Sequence, residues 1–232
     1  MLWLAVSLAL IGGAPEDRVA AAYAECLPVL KKRSKDLGIA WPPRKIFLRA
    51  IKDEDVLEVW AHKPKTGFVL WQKYTIAAAS GTLGPKRVVG DFQVPEGLYR
   101  VAVLNPQSRF HLSLGLNYPN KADLVLGDKN DPGKEIYIHG KRVSIGCLAM
   151  TDDFIRPIYI LANEAFRAKN SVPVHIFPSR LTKKREAELS KTYPEHAKLW
   201  VQLGIFFRYF ERTKHVPNFE ISDDGRYILK EN

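Results

Sequence analysis

The chain has 232 residues, 46% of them hydrophobic and 26% charged, which supplies apolar material for one sizeable core and sets disorder aside. Lys and Arg outnumber Asp and Glu by 35 to 25, a net charge of +10 that favours anionic partners. Nucleic acid is not the expected one: no C2H2 zinc spacing, RRM-like aromatic motif or Gly-rich KH loop occurs, and Lys31-Lys32-Arg33 and Lys183-Lys184-Arg185 read as solvated helix faces.

Residues 2–14 are uncharged and mostly apolar, too short for a bilayer, which needs about 20 apolar residues. They have the length of a signal-peptide core and end in the small residues Gly12-Gly13-Ala14. The expectation is an export signal over 1–14 and no membrane span after its removal, with a buried first strand or helix as the alternative. Residues 16–37 predict a helix: Val19, Ala22, Tyr23, Cys26, Leu27 and Leu30 recur at helical spacing. Cys26 falls on that stripe as a core thiol, although a disulfide with Cys147 is the other use of two cysteines in an exported protein. Gly38 ends the helix, and Trp41-Pro42-Pro43 completes an N-terminal unit over 15–43.

Strands follow at 46–51, 56–61, 68–78, 98–104 and 109–114, the last two separated by a turn at residues 105–108. Residues 117–134 read as a long loop and 136–139 as a short strand. A helix over 152–169, capped by Thr151 or Asp152, precedes a strand at 172–177. Residues 182–191 and 194–213 read as helices, and 226–229 as a last short strand. The order predicts an α+β fold, mainly β with helical additions: a catalytic domain over 44–180 and a helical extension over 181–232 packed on it.

His139 closes a short strand, and Cys147 follows eight residues later (147 − 139) across a loop holding Gly140 and Gly146. Such a loop lets the chain double back and bring imidazole to sulfur. A nearby imidazole lowers a thiol's pKa and takes its proton, giving a thiolate–imidazolium pair. Gly146 permits a tight turn before the nucleophile, and the N–H groups of Gly146 and Cys147 are candidates for stabilising an oxyanion. His111 is a strand residue that either lines the site or packs. Lys141 and Arg142 adjoin His139 and either pair with a substrate carboxylate or face solvent. A zinc site built on His139 and Cys147 lacks third and fourth ligands, so neither metal nor cofactor is expected.

The segment His139-Gly140 followed by Ser144-Ile145-Gly146-Cys147 resembles the H-G…S-x-G-C signature of the YkuD-fold L,D-transpeptidases. The similarity is closer to the YafK-like branch. It includes Gly90-Asp91, Pro95-Glu96-Gly97-Leu98-Tyr99, Phe110-His111-Leu112-Ser113-Leu114, Tyr118-Pro119-Asn120 and the tail motifs Tyr209-Phe210-Glu211 and Asp224-Gly225-Arg226-Tyr227. The resemblance implies a YkuD-type catalytic sandwich or barrel in a periplasmic protein. It implies a thioester at Cys147, formed from a peptidoglycan stem peptide containing meso-diaminopimelate. His139 would be the general base, the Gly140 carbonyl its orienter, and Ser144 the family's Ser or Thr, with Ser144, Arg142, His111 and Lys141 as substrate-binding candidates. Many relatives carry a second His directly before Gly-Cys; Ile145 stands there here. That departure favours hydrolysis, as an L,D-carboxypeptidase or as an amidase releasing a peptidoglycan-linked lipoprotein. Formation of 3–3 cross-links, attachment of protein to peptidoglycan, and a non-catalytic peptidoglycan-binding module are the alternatives.

Overall fold

A computed structural model describes residues 17–230, so the expected export signal over 1–14 lies outside the described residues. α1 (Arg18–Leu37) starts where the Asp17 carboxylate accepts from the N–H groups of Val19 and Ala20, and stops at Gly38, whose φ of 63° is left-handed. β1 (Ile46–Ile51) and β2 (Val56–Lys63) form a hairpin over a single 3-10 turn, and β3 (Gly67–Thr75) adds antiparallel to β2. Then come β4 (Gly97–Ser108), β5 (His111–Leu116), α2 (Lys121–Leu126), β6 (Tyr137–His139), β7 (Leu148–Ala149), α3 (Asp152–Arg167) and β8 (Pro173–Phe177). α4 (Lys183–Thr192), α5 (Ala197–Thr213) and the ribbon β9 (Asn218–Ile221) with β10 (Tyr227–Lys230) complete the α+β fold.

Eight strands form one sheet in the order β3-β2-β1-β8-β4-β5-β6-β7. Side chains alternate across a strand, and β1 is buried on both faces, which are apolar apart from Arg49. Ile46, Leu48 and Ala50 join a core with Ile155, Ile158 and Leu161 of α3. On the other face Ile51 joins Phe177, Trp200, Leu203, Phe206 and Phe207, and Phe47 packs with Trp60 and Phe210. Past β3 the chain bends across to the far edge: Ala77 N–H donates to the Ala149 carbonyl (2.7 Å) and Ala149 N–H to that of Ala78 (3.0 Å). The sheet therefore curls until its outer strands meet at β7, the residue pair directly after Cys147.

Arg49 and His175 are ionisable groups enclosed in this core. Arg49 is 1% exposed, paired with Glu58 (2.6 Å) and Glu211 of α5 (2.6 Å), and stacked on Trp60, Phe207 and Phe210. His175 sits edge-on to Phe47 with its Nδ1 buried and unpartnered; burial first, then Arg49, drives its pKa down to about 3. Its ring is thus neutral in the fold while the unfolded chain binds a proton below pH 6.5. Stability from this residue is complete above pH 6.5 and declines as the pH falls toward 3, by about 3 kcal/mol at pH 4.5. Urea unfolding of His175→Phe and the wild type from pH 7.5 to 4.5 checks this: their stability difference is expected to shift by that amount in the variant's favour.

The structure differs from the sequence reading at four elements. Residues 105–108 continue β4, and the turn falls at Arg109 and Phe110; register shifts between Asn105 and Ser108 absorb Pro106, which lacks an N–H for a regular ladder. The expected loop over 117–134 contains α2, started by a capping box between Asn120 and Asp123. β7 and β9 are the other unexpected elements.

Candidate active site

β6 and β7 run parallel, Ile138 opposite Leu148 and His139 opposite Ala149, so the loop between them folds back on itself. That pairing sets Cys147 beside Tyr137, whose N–H donates to Sγ at 3.4 Å. His139 closes β6 two residues further on. It is 2% exposed, and its ring lies against Phe110 with centroids 4.7 Å apart. Nδ1 stands 2.6 Å from the Gly140 carbonyl. A carbonyl only accepts, so Nδ1 carries the hydrogen and Nε2 keeps a lone pair. Nε2 has no hydrogen-bond partner among the described residues. Gly140 has no room for a side chain: a Cβ there would stand 2.6 Å from Asp152 Oδ1 and 2.7 Å from the Phe110 carbonyl.

The thiol of Cys147 points its hydrogen at the Glu135 carbonyl, 3.7 Å away. Burial raises its pKa, opposed by the Tyr137 amide and Lys86 and reinforced by Glu135. Burial also lowers the pKa of His139, against the hydrogen bond to Gly140. Desolvation thus works against ionisation at both side chains, opposing the thiolate–imidazolium pair expected from the spacing. Cys26 and Cys147 are both free thiols, which removes the disulfide alternative.

Ser144 turns into its own loop. Its hydroxyl accepts from the N–H groups of Gly146 (3.3 Å) and Cys147 (3.0 Å) and donates to the Cys147 carbonyl (2.7 Å). The two amides read from the sequence as oxyanion donors are thus held by one hydroxyl in the resting structure. Gly146, at φ 119°, supplies the backbone conformation that this turn needs. Lys141 is tied to the start of α3: its N–H and Nζ reach the Asp152 carboxylate at 2.8 and 2.7 Å. Arg142 is exposed, with no partner among the described residues. His111 opens β5 at φ 74°, its Cβ against Gly140 and its Nε2 buried without a partner. One end of the sheet thus gathers His139, Gly140, His111, Lys141, Ser144, Gly146 and Cys147, while Arg142 faces outward.

The sequence reading missed Phe110 as the surface under the imidazole, and the Tyr137 amide and Glu135 carbonyl that hold the sulfur. The Phe110-His111 motif was the only signal for the first. A cleft of about 370 Å³ lined by Leu148, residues 79–83, Asp53 and Asp55 opens next to the loop that carries Cys147. Exposed Val143, Ile145 and Phe92 add apolar surface on the loop and on the segment before β4. Among the described residues no three His, Cys, Asp or Glu side chains gather as metal ligands would, and no helix is long and apolar enough to cross a membrane.

Over 188 residues the chain is 35% identical to "Putative L,D-transpeptidase YafK" of Escherichia coli, in strain K12 and equally in O157:H7, covering 79% of this chain and 73% of the relative. The chain belongs to the L,D-transpeptidase family. No protein-family model matches it. Among solved structures, the helical cell shape determining protein Pgp2 of Campylobacter jejuni is 18% identical, with a TM-score of 0.48 over 77% of this chain and 73% of that one. Bd1075 of Bdellovibrio bacteriovorus is 18% identical, with a TM-score of 0.43 over 81% of this chain and 77% of that one.

Proposed function

We propose that this L,D-transpeptidase-family chain is an exported cysteine enzyme that remodels peptidoglycan through a thioester at Cys147. The observation that carries the reading is the tautomer fixed by Gly140: Nδ1–H is committed to the carbonyl, so the lone pair on Nε2 is free to take the thiol proton. Entry of a stem peptide turns Sγ from the Glu135 carbonyl toward Nε2. The sulfur attacks the carbonyl carbon of the bond to meso-diaminopimelate while its proton passes to His139. Charge develops on the carbonyl oxygen, which competes with the Ser144 hydroxyl for the N–H groups of Gly146 and Cys147. Collapse expels the amine, which leaves with the proton from His139. Water then resolves the thioester, His139 again acting as base, which makes the reaction hydrolytic: an amidase that frees a peptidoglycan-linked lipoprotein, or an L,D-carboxypeptidase.

In this reading Ser144 positions the nucleophile loop, and Lys141 fixes the backbone beside His139 through Asp152. Arg142, exposed on the loop, would meet an incoming carboxylate, and His111 lines the site beside Gly140. The export signal over 1–14, the N-terminal unit over 15–43, the catalytic domain over 44–180 and the extension over 181–232 belong to the same proposal, as does action in the periplasm. The test is mass spectrometry of purified peptidoglycan after incubation with the protein. Shortened stems or a released polypeptide are expected. New 3–3 cross-links would replace hydrolysis by transpeptidation, and an unchanged muropeptide profile with the polymer retained in pull-down would leave only a binding module.

A further inference from the structure

The peptide group between Gly140 and Lys141 is engaged at both ends. Its carbonyl, on Gly140, stands 2.6 Å from His139 Nδ1, and its N–H, on Lys141, donates to Asp152 Oδ1 at 2.8 Å. In a trans peptide these two groups point in opposite directions, so imidazole and carboxylate sit on either side of one rigid plane. Asp152 Oδ1 also lies 2.6 Å from where a Gly140 Cβ would be, which seats the carboxylate directly on this unit. The flanking backbone is fixed as well. Gly140 N–H donates to the Leu112 carbonyl (3.2 Å), Thr151 N–H to that of Lys141 (3.0 Å) and Met150 N–H to that of His139 (2.7 Å).

Asp152 does not act as an ordinary acid at a helix start. Thr151 caps α3, its hydroxyl accepting from the Phe154 N–H, and both Asp152 oxygens turn back to Lys141, Oδ1 to the backbone and Oδ2 to Nζ (2.7 Å). The backbone held there is strained. Lys141 (φ 64°), His111 (φ 74°) and Thr151 (φ 72°) all lie at positive φ, and all three border Gly140 or its peptide group. Such residues cost free energy and persist where the surroundings over-determine them, commonly at functional sites. Resting on the reading of His139 as the base for Cys147, we infer that Asp152 is a positioning residue: through the Gly140–Lys141 peptide group its carboxylate holds the imidazole in the tautomer and orientation that take the thiol proton. Accepting from the N–H polarises the peptide and makes the Gly140 carbonyl a stronger acceptor for Nδ1–H. The carboxylate exchanges no proton. Nδ1 keeps its hydrogen, the thiol proton goes to Nε2, and Asp152 stays ionised against Lys141. One intervening amide thus passes on the orienting role that a carboxylate bonded directly to imidazole has in a hydrolytic triad.

Long-range proton–nitrogen correlation spectra of isotope-labelled protein report the His139 ring tautomer without substrate, with His139→Gln assigning its signals. The wild type is expected to carry the hydrogen on Nδ1, and Asp152→Ala to show a mixture of both tautomers. In stem-peptide cleavage Asp152→Ala is expected to lower kcat by roughly 100-fold with KM little changed. Asp152→Asn, a neutral and weaker acceptor for the same N–H, is expected to keep the tautomer, move the Nδ1–H resonance upfield and recover most of the rate. It stands as the reporter if circular dichroism shows that Asp152→Ala fails to fold. Asp153→Asn, one residue on and paired with Arg156, is expected to behave as the wild type. An unchanged tautomer in Asp152→Ala, an unchanged Nδ1–H resonance in Asp152→Asn, or equal rate losses in the two would reduce Asp152 to a tether between the loop and α3. A tautomer shift in Asp152→Ala alongside a wild type that turns over no muropeptide would instead sink the acyl-transfer reading and leave the hold of Asp152 on His139 in place.

Discussion

Cys147→Ala and His139→Gln are each expected to slow acyl transfer by roughly 10⁴-fold, and the double variant to be no worse than either alone. In the proposed mechanism the two act as one unit: without the imidazole the buried thiol keeps its proton, and without the sulfur the base has nothing to activate. Initial rates of stem-peptide cleavage for the four proteins check this, and losses that multiply would place the two side chains in separate steps. The pH profile follows from the same burial. As the proposed base His139 must be neutral, and burial holds its pKa below the usual 6.5, so kcat/KM is expected to hold down past pH 6.5 and fall only when the ring protonates. An ion pair formed in the resting enzyme would instead have placed the acid limb at the thiol.

Arg49→Met is expected to destabilise the fold by about 3 kcal/mol in urea unfolding, and the further change Glu58→Leu to recover most of that loss. The guanidinium is enclosed among three aromatic rings and joins β1 and β2 to α5 through Glu58 and Glu211. Removing it strands Glu58 Oε2 with only the indole N–H of Trp60 (3.0 Å), while Arg180 still holds Oε1 (2.8 Å). The retained Arg180 keeps the effect at the low end of what a broken buried pair costs. Equal losses in the single and double variants would show that packing of the long side chain, not the stranded carboxylate, sets the stability.

The elements read from the sequence are those whose burial is periodic. α1, α3 and α5 present one apolar stripe each, and β1, β2 and β8 are short apolar runs bounded by turns. β7 has two residues, too few for any pattern, and exists because Ile138 and Ala78 lie on either side of it. α2 is hidden in a polar stretch, and its signal was the Asn120–Asp123 capping pair. In the site, His139, Gly140 and Cys147 were legible because their chemistry is bound to residue type. The Glu135 carbonyl was not: only the tertiary fold brings it to the thiol. Nor could spacing tell that Ser144 would satisfy the loop's own amides before any substrate arrived.

Sheet enzymes that bind extended peptides commonly let the ligand add as one more strand along a bare margin. The short strand after Cys147 has no such margin, because β6 lines one side and the chain at Ala77 and Ala78 occupies the other. If the proposed function holds, a stem peptide would therefore have to reach the sulfur without adding as a strand at β7, which shifts its recognition from main-chain pairing toward its side chains and termini.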